Sequence, residues 1–432
     1  MDDADRRNPL TRIIKATTKV EANELHATLL SFLFVFVLMT AYFIMRPVRD
    51  AMASDWSDAE VSLLWTMTFF LSLIAVSIYG AAISLVRFRL LVPGVYGFFA
   101  LSFFVFYFGS TFIADPVFVD KGFYVWLSVF SLFHLSVFWS FMSDLFNKEQ
   151  ALRLFGIIAT GASVGAIVGP LLTAELVASI GTSALMLVSA TMLLIPIPII
   201  LVLERLKRTA LGNADVSVDL RAQQAIGKNP LAGFSLFLKS PYLIGIGCFI
   251  LLYVAIGSFV YFELKNLLEV FTREERTQIY AYIDFAVNSL AILTAIFVTS
   301  RITTRFGMAT TLALIPALLA VGMLVIAFSP VIAVVAGLQV ARRAGNYAIT
   351  RPGREMLFTV VDRETRFKAK PVIDIVLYRG GDMMTAWAFT LLTSVIGLGL
   401  GAVAAVGVGI AAVWAVVGVY LGKAYQRVAD EQ

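Results

Sequence analysis

Four polar side chains, Gln339, Arg343, Asn346 and Thr350, recur at i, i+4, i+7 and i+11 inside an apolar run, with Arg342 beside them. That spacing places them on one stripe of a helix. Arginine there suits anion binding, because the planar guanidinium pairs bidentately with phosphate or carboxylate oxygens. A second apolar run carries Tyr280, Asp284 and Asn288 at i, i+4 and i+8. In a third, VIDIVLYRGGDMMTAW, Asp374, Tyr378 and Asp382 step by four, and Arg379 lies three residues before Asp382. Such neighbours meet on a helix surface. These carboxylates can neutralise the arginines, touch a ligand or carry a proton, and Gly380 and Gly381 let the helix bend or admit a ligand close to its backbone.

The stretch AYFIMRPVRDAM sets Arg46, Arg49 and Asp50 at i, i+3 and i+4, with Pro47 among them. Two outcomes are open. The helix can stop at Met45, about 30 Å from His26 at 1.5 Å per residue, leaving the charges in interfacial water. Alternatively it continues past Pro47, whose missing N–H would bend or loosen it, and turns two guanidiniums toward a passage. Glu263 and Lys265 close another apolar run, while Ser128, Ser131 and His134 form a weaker polar line in which His134 serves packing.

Eleven ionisable residues thus lie in or at the ends of apolar runs: Arg46, Arg49, Asp50, Glu263, Lys265, Asp284, Arg342, Arg343, Asp374, Arg379 and Asp382. At a helix centre in lipid each costs about 2.5–3.5 kcal/mol, and together about 30 kcal/mol, more than the roughly 5–15 kcal/mol of a folded domain. They must pair or line a wet cavity. The expected substrate-binding set is Arg46, Arg49, Lys265, Arg342, Arg343, Asn346 and Arg379, and the expected coupling or ion-pair set is Asp50, Glu263, Asp284, Asp374 and Asp382. No P-loop, nucleophile elbow or metal motif occurs, so an enzyme, a catalytic residue, a cofactor and a metal are not expected. One cysteine, Cys248, and two histidines leave no disulfide or metal-site spacing.

The positioning elements are membrane spans. Of 432 residues 59% are hydrophobic and 15% charged, and the mean hydropathy is +0.86. Twelve runs are long enough to cross a bilayer, near 27–52, 59–86, 90–113, 122–145, 151–177, 183–203, 240–268, 278–301, 307–328, 331–350, 371–395 and 399–421. A hydrocarbon core of about 30 Å needs about 20 such residues. The predicted organisation is an N-terminal segment 1–25, a six-helix bundle 26–203, a polar linker 204–239, a second six-helix bundle 240–422 and a tail 423–432. Lys and Arg concentrate in the segments that share a side with the N-terminus, including Arg6, Arg87, Lys148, Arg205 to Lys239 and Arg351 to Lys370. The positive-inside rule therefore predicts both termini in the cytoplasm of a cell inner membrane. The pI near 9.2 follows from those loops, and no basic patch is patterned for nucleic acid.

The two bundles repeat. YFIMR at Tyr42 pairs with YFELK at Tyr261, VRF with TRF, and FNKEQALR at Phe146 with VDRETRFK at Val361, all 215 to 219 residues apart. Two parallel six-helix repeats are the architecture of the major facilitator superfamily, so the expected fold is all-α and integral to the membrane, in two pseudo-symmetric bundles. Gly161, Gly165 and Gly169 at i, i+4 and i+8 allow close helix approach.

FIMRPVRDAM resembles the first-helix signature of the nucleotide translocases, the ATP/ADP exchangers of plastids and intracellular bacteria. The segment from Asn346 to Met384, NYAITRPGREMLFTVVDRETRFKAKPVIDIVLYRGGDMM, is similar to a second signature of that family. The resemblance implies twelve helices and exchange of ATP for ADP. In it Arg46 matches an arginine, Arg49 a substrate-linked lysine and Asp50 an aspartate. It departs at Leu127, where the family has a glutamate, and near Tyr261, where Glu263 is only close by. The expected function is secondary transport of an anionic, nucleotide-like or phosphorylated solute by a monomer; the alternative is a proton-coupled symporter of another organic anion or a peptide-like metabolite.

Overall fold

The structure, a computed structural model, describes residues 20–85, 88–213, 232–297, 299–362, 365, 369–370 and 372–430. Among these there is no strand, and twelve helices follow one another. In the first half they are α1 (Leu25–Met52), α2 (Asp58–Leu85), α3 (Phe88–Phe112) and α4 (Val117–Leu145). The continuous helix Lys148–Met192 turns at Gly181, where φ is +76°, so it comprises α5 (148–180) and the start of α6 (182–209). After a short helix, Ala232–Lys239, come α7 (Pro241–Leu267), α8 (Arg273–Phe297) and α9 (Thr299–Phe328).

The last three helices complete the second half. In α10 (332–357) a π-helical turn over Asn346–Thr350 joins Ile332–Gly345 to Arg351–Leu357. In α11 (372–395) π-helical turns flank Tyr378–Thr390. The final helix, α12 (Leu400–Asp430), follows a turn in which Gly397 takes φ +79°.

Among the described residues, nine helical stretches, one of them 62 residues long and covering both α5 and α6, are long and apolar enough to cross a membrane. On α3 the exposed residues Phe98, Leu101, Val105, Phe108 and Phe112 form an apolar stripe, as expected where lipid is the solvent.

Local chemistry sets the boundaries and exposes the repeat. Ser57 and Glu60 form a reciprocal cap at the start of α2, with Glu60 N–H donating to Ser57 Oγ and Ser57 N–H to Glu60 Oε2. Thr272 and Glu275 make the same box on α8. Gly181 and Gly397 both take a positive φ, open to glycine at no steric cost. Cap and turn each recur 215 to 216 residues later, in step with the sequence matches.

The chain forms two compact units, 1–49 with 72–218 and 50–71 with 219–432. Residues 50–71, assigned by sequence to the 26–203 bundle, thus pack with the second unit. In the first unit α5 lies on α1 along its glycines. A Cβ at Gly161, Gly165 or Gly169 would stand 2.6, 2.4 or 2.7 Å from the carbonyl oxygens of Phe32, Phe36 or Thr40. Thr173 donates to Ile44 O one step further on. In the second unit α12 packs on α9 in the same manner, Gly418 against Leu312 O and Gly422 against Ala309.

Candidate functional site

The α1 helix does not stop at Met45; it runs through Pro47 to Met52. Of the two outcomes left open, the helix takes the continuing one: the two arginines are half-buried and Asp50 is buried. Arg49 donates to Ser128 Oγ at 3.2 Å and lies over the Tyr124 ring at 5.5 Å, both on α4. Further along the same face His134 stacks on Tyr42 with ring centroids 4.4 Å apart, and its carbonyl accepts from Tyr96. His134 therefore packs. Arg46 sits over Phe43 at 5.7 Å.

In the second unit the segment 50–71 is tied down by charge. Asp55 accepts from Arg273 at 2.6 Å and also from Arg276. Asp58 takes Lys265 at 3.0 Å, Asn266 at 3.3 Å and Thr393 at 2.8 Å, while Ser62 shares a hydrogen bond of 2.8 Å with Thr390. Lys265, expected to bind substrate, is 2% exposed and engaged by Asp58. Glu263, two residues earlier, is fully buried. Sequence reasoning missed Asp55 and Asp58, because their partners lie more than 200 residues away and no local spacing announces them.

The two arginines of α10 diverge. Neighbouring residues on a helix point about 100° apart, so Arg343 reaches α8 and forms a buried ion pair with Asp284, while Arg342 reaches α7. The single stripe expected for Gln339, Arg343, Asn346 and Thr350 ends where the π turn starts at Asn346. Pro352 contributes to that widening, since a proline ring crowds the carbonyl four residues before it.

Arg342 is 8% exposed. Its Nε and Nη2 donate to Gln339 Oε1 at 3.1 and 2.8 Å, and its guanidinium lies 5.8 Å over the Tyr253 ring. Nη1 lies against Gly257, where a Cβ would come within 2.8 Å, so a larger residue there would push the guanidinium aside. Among the described residues no carboxylate lies within ion-pair distance of Arg342. Tyr253 meets Tyr378 of α11 at 6.1 Å and Trp414 of α12 at 5.7 Å, and Ser258 bonds Thr385 at 2.7 Å. Tyr253, Gly257 and Tyr378 are half-buried. The result is a buried cation with neutral ligands and aromatic walls.

The other acids of α11 are paired locally. Asp382 lies 3.7 Å from Arg379, and Asp374 lies 3.3 Å from Arg354 at the far end of α10. Arg354 also takes Glu355, which Lys370 holds as well. Arg354 and Gly257 were not anticipated; nothing in their spacing separates them from ordinary loop charge and small-residue packing.

Residues 28–349 match the family described as the Major Facilitator Superfamily. No curated protein matches the chain. Among solved structures it is similar to the nucleoside transporter NupG at 13% identity, covering 93% of this chain and 99% of that one with a TM-score of 0.61. It is also similar to a bacterial homolog of the human lysosomal transporter Spinster at 14% identity, covering 95% and 98% with a TM-score of 0.57.

Proposed function

The chain belongs to the Major Facilitator Superfamily and is a secondary transporter working by alternating access; from that premise we propose that its cargo is an organic anion and that Arg342 is its charge partner. One observation carries this: Arg342 is a buried guanidinium for which the described residues supply only neutral ligands. An uncompensated charge in a low-dielectric setting attracts a counter-ion strongly, and a guanidinium prefers oxyanions that accept two parallel hydrogen bonds. Tyr253, Tyr378 and Trp414 offer ring faces for a planar or apolar part of the same molecule. The likeness of FIMRPVRDAM to nucleotide translocases supports a nucleotide-like or phosphorylated cargo. The basic connections support a cytoplasmic membrane with both termini inside.

Arg46, Arg49 and Arg379 remain in the proposed path as secondary contacts, while Arg343 and Lys265 act through their ion pairs. The test is reconstitution into liposomes with labelled nucleotides, phosphosugars and organic acids, loaded or empty of counter-substrate. Arg342→Ala lowers uptake of the transported anion at least ~10-fold, about 1.4 kcal/mol, and Arg342→Lys recovers part of it. Normal uptake by Arg342→Ala, or a neutral cargo, refutes the proposal. Accumulation that needs internal anion identifies exchange; accumulation without it, driven by a pH gradient, identifies a symporter.

A further inference from the structure

Six acidic side chains among the described residues are buried: Glu24, Asp50, Asp58, Asp120, Glu263 and Asp284. Arg153 holds Glu24 at 2.7 Å, Lys265 holds Asp58 at 3.0 Å, and Arg343 holds Asp284. Asp120 accepts from Ser110 at 2.8 Å, and Asp50 is engaged too. Glu263 differs. It is 0% exposed, and neither Oε1 nor Oε2 has a hydrogen-bond partner. A carboxylate buried in that way would leave a full charge with no donor, whereas the neutral acid avoids most of that penalty.

Among the described residues no cation pairs with Glu263. Against α7 pack α10, α11, α12, the turn Ala53–Asp55 and the short helix Ala232–Lys239, whose one charge, Lys239, lies by the N-terminus of α7, 24 residues before Glu263. The α12 helix carries no charged residue before Lys423, α10 carries none before Arg342, and α11 carries none beyond Asp382. The turn brings Asp55, already claimed by Arg273 and Arg276. On α2, Asp58 is held by Lys265. On α7 itself Lys265 is committed to Asp58 and Asn266.

We propose that Glu263 is the proton-binding site of the transport cycle, occupied in the state seen here. The step is acid–base only: one proton from water bonds to a carboxylate oxygen of Glu263 and later returns to water, with no electron transfer. When it leaves, an uncompensated negative charge remains buried in α7, which favours a state that brings the group water or a cation. This rests on alternating access and not on the anionic cargo.

Infrared spectroscopy of the full-length protein in liposomes reads the proton directly. Wild type shows a protonated-carboxyl stretch at neutral pH that fades on alkalinisation; Glu263→Gln lacks it, and Glu263→Asp retains it. A band unchanged in Glu263→Gln, or absent from wild type, overturns the inference. In a second arm, a pH gradient acidic outside the liposomes drives the transported anion at least ~10-fold above equilibrium in wild type. Glu263→Gln loses that accumulation while counterflow continues. Wild-type counterflow with no response to the gradient overturns the inference and leaves the anion assignment standing. Thermal unfolding of Glu263→Gln checks that it folds.

Discussion

Arg342 and Arg343 are adjacent in the chain yet have different fates. Arg343 is cemented to Asp284, both almost fully buried, so removing the guanidinium strands a carboxylate. Arg343→Ala should cost about 3–5 kcal/mol, and the double variant Arg343→Ala with Asp284→Ala much less; the midpoints of thermal unfolding in detergent measure both. Arg342→Ala strands no acid and should leave the midpoint nearer wild type. Equal losses for Arg342→Ala and Arg343→Ala would erase the distinction. That both arginines are buried was legible from their place in an apolar run. Which one met the acid was not, because that depends on the rotation of α10 about its axis, and its π turn starts at Asn346.

Helices were the most legible level, since twelve long apolar runs leave little freedom in a bilayer. The glycine series of α5 also translated directly into structure, because residues four apart on one helix face must meet the same neighbour. Gly165 would place a Cβ 2.4 Å from Phe36 O. That obstacle is backbone, which cannot rotate away. Gly165→Val should therefore pry α5 from α1 and lower the yield of folded protein severalfold by size-exclusion chromatography, whereas the same change at Gly156, with nothing within 4 Å, should be silent. The end of α1 was harder to foresee. A proline interrupts a ladder by one hydrogen bond, but Arg49 on Ser128 and Tyr124 gives the helix reasons to continue.

For the molecule as a whole the repeat was legible in three short matches, and the recurring caps and glycine turns bear it out. The membership of residues 50–71 was not, since it depends on ion pairs between distant parts of the chain. Ser62 and Thr390 lie within a hydrogen bond of 2.8 Å. In a Cys248→Ser background, cysteines at these two positions should form a disulfide that stops counterflow and releases it on reduction. Undiminished turnover of the oxidised protein would mean that the segment stays with α11 throughout the cycle.

The same segment constrains how the protein is made. Asp58 precedes Lys265 by 207 residues, so at about 5–20 residues per second it waits on the order of 10–40 s on the ribosome for its cation. The chain therefore enters the bilayer carrying two acids whose partners have not been synthesised, and segment 50–71 can dock only once the second half has emerged.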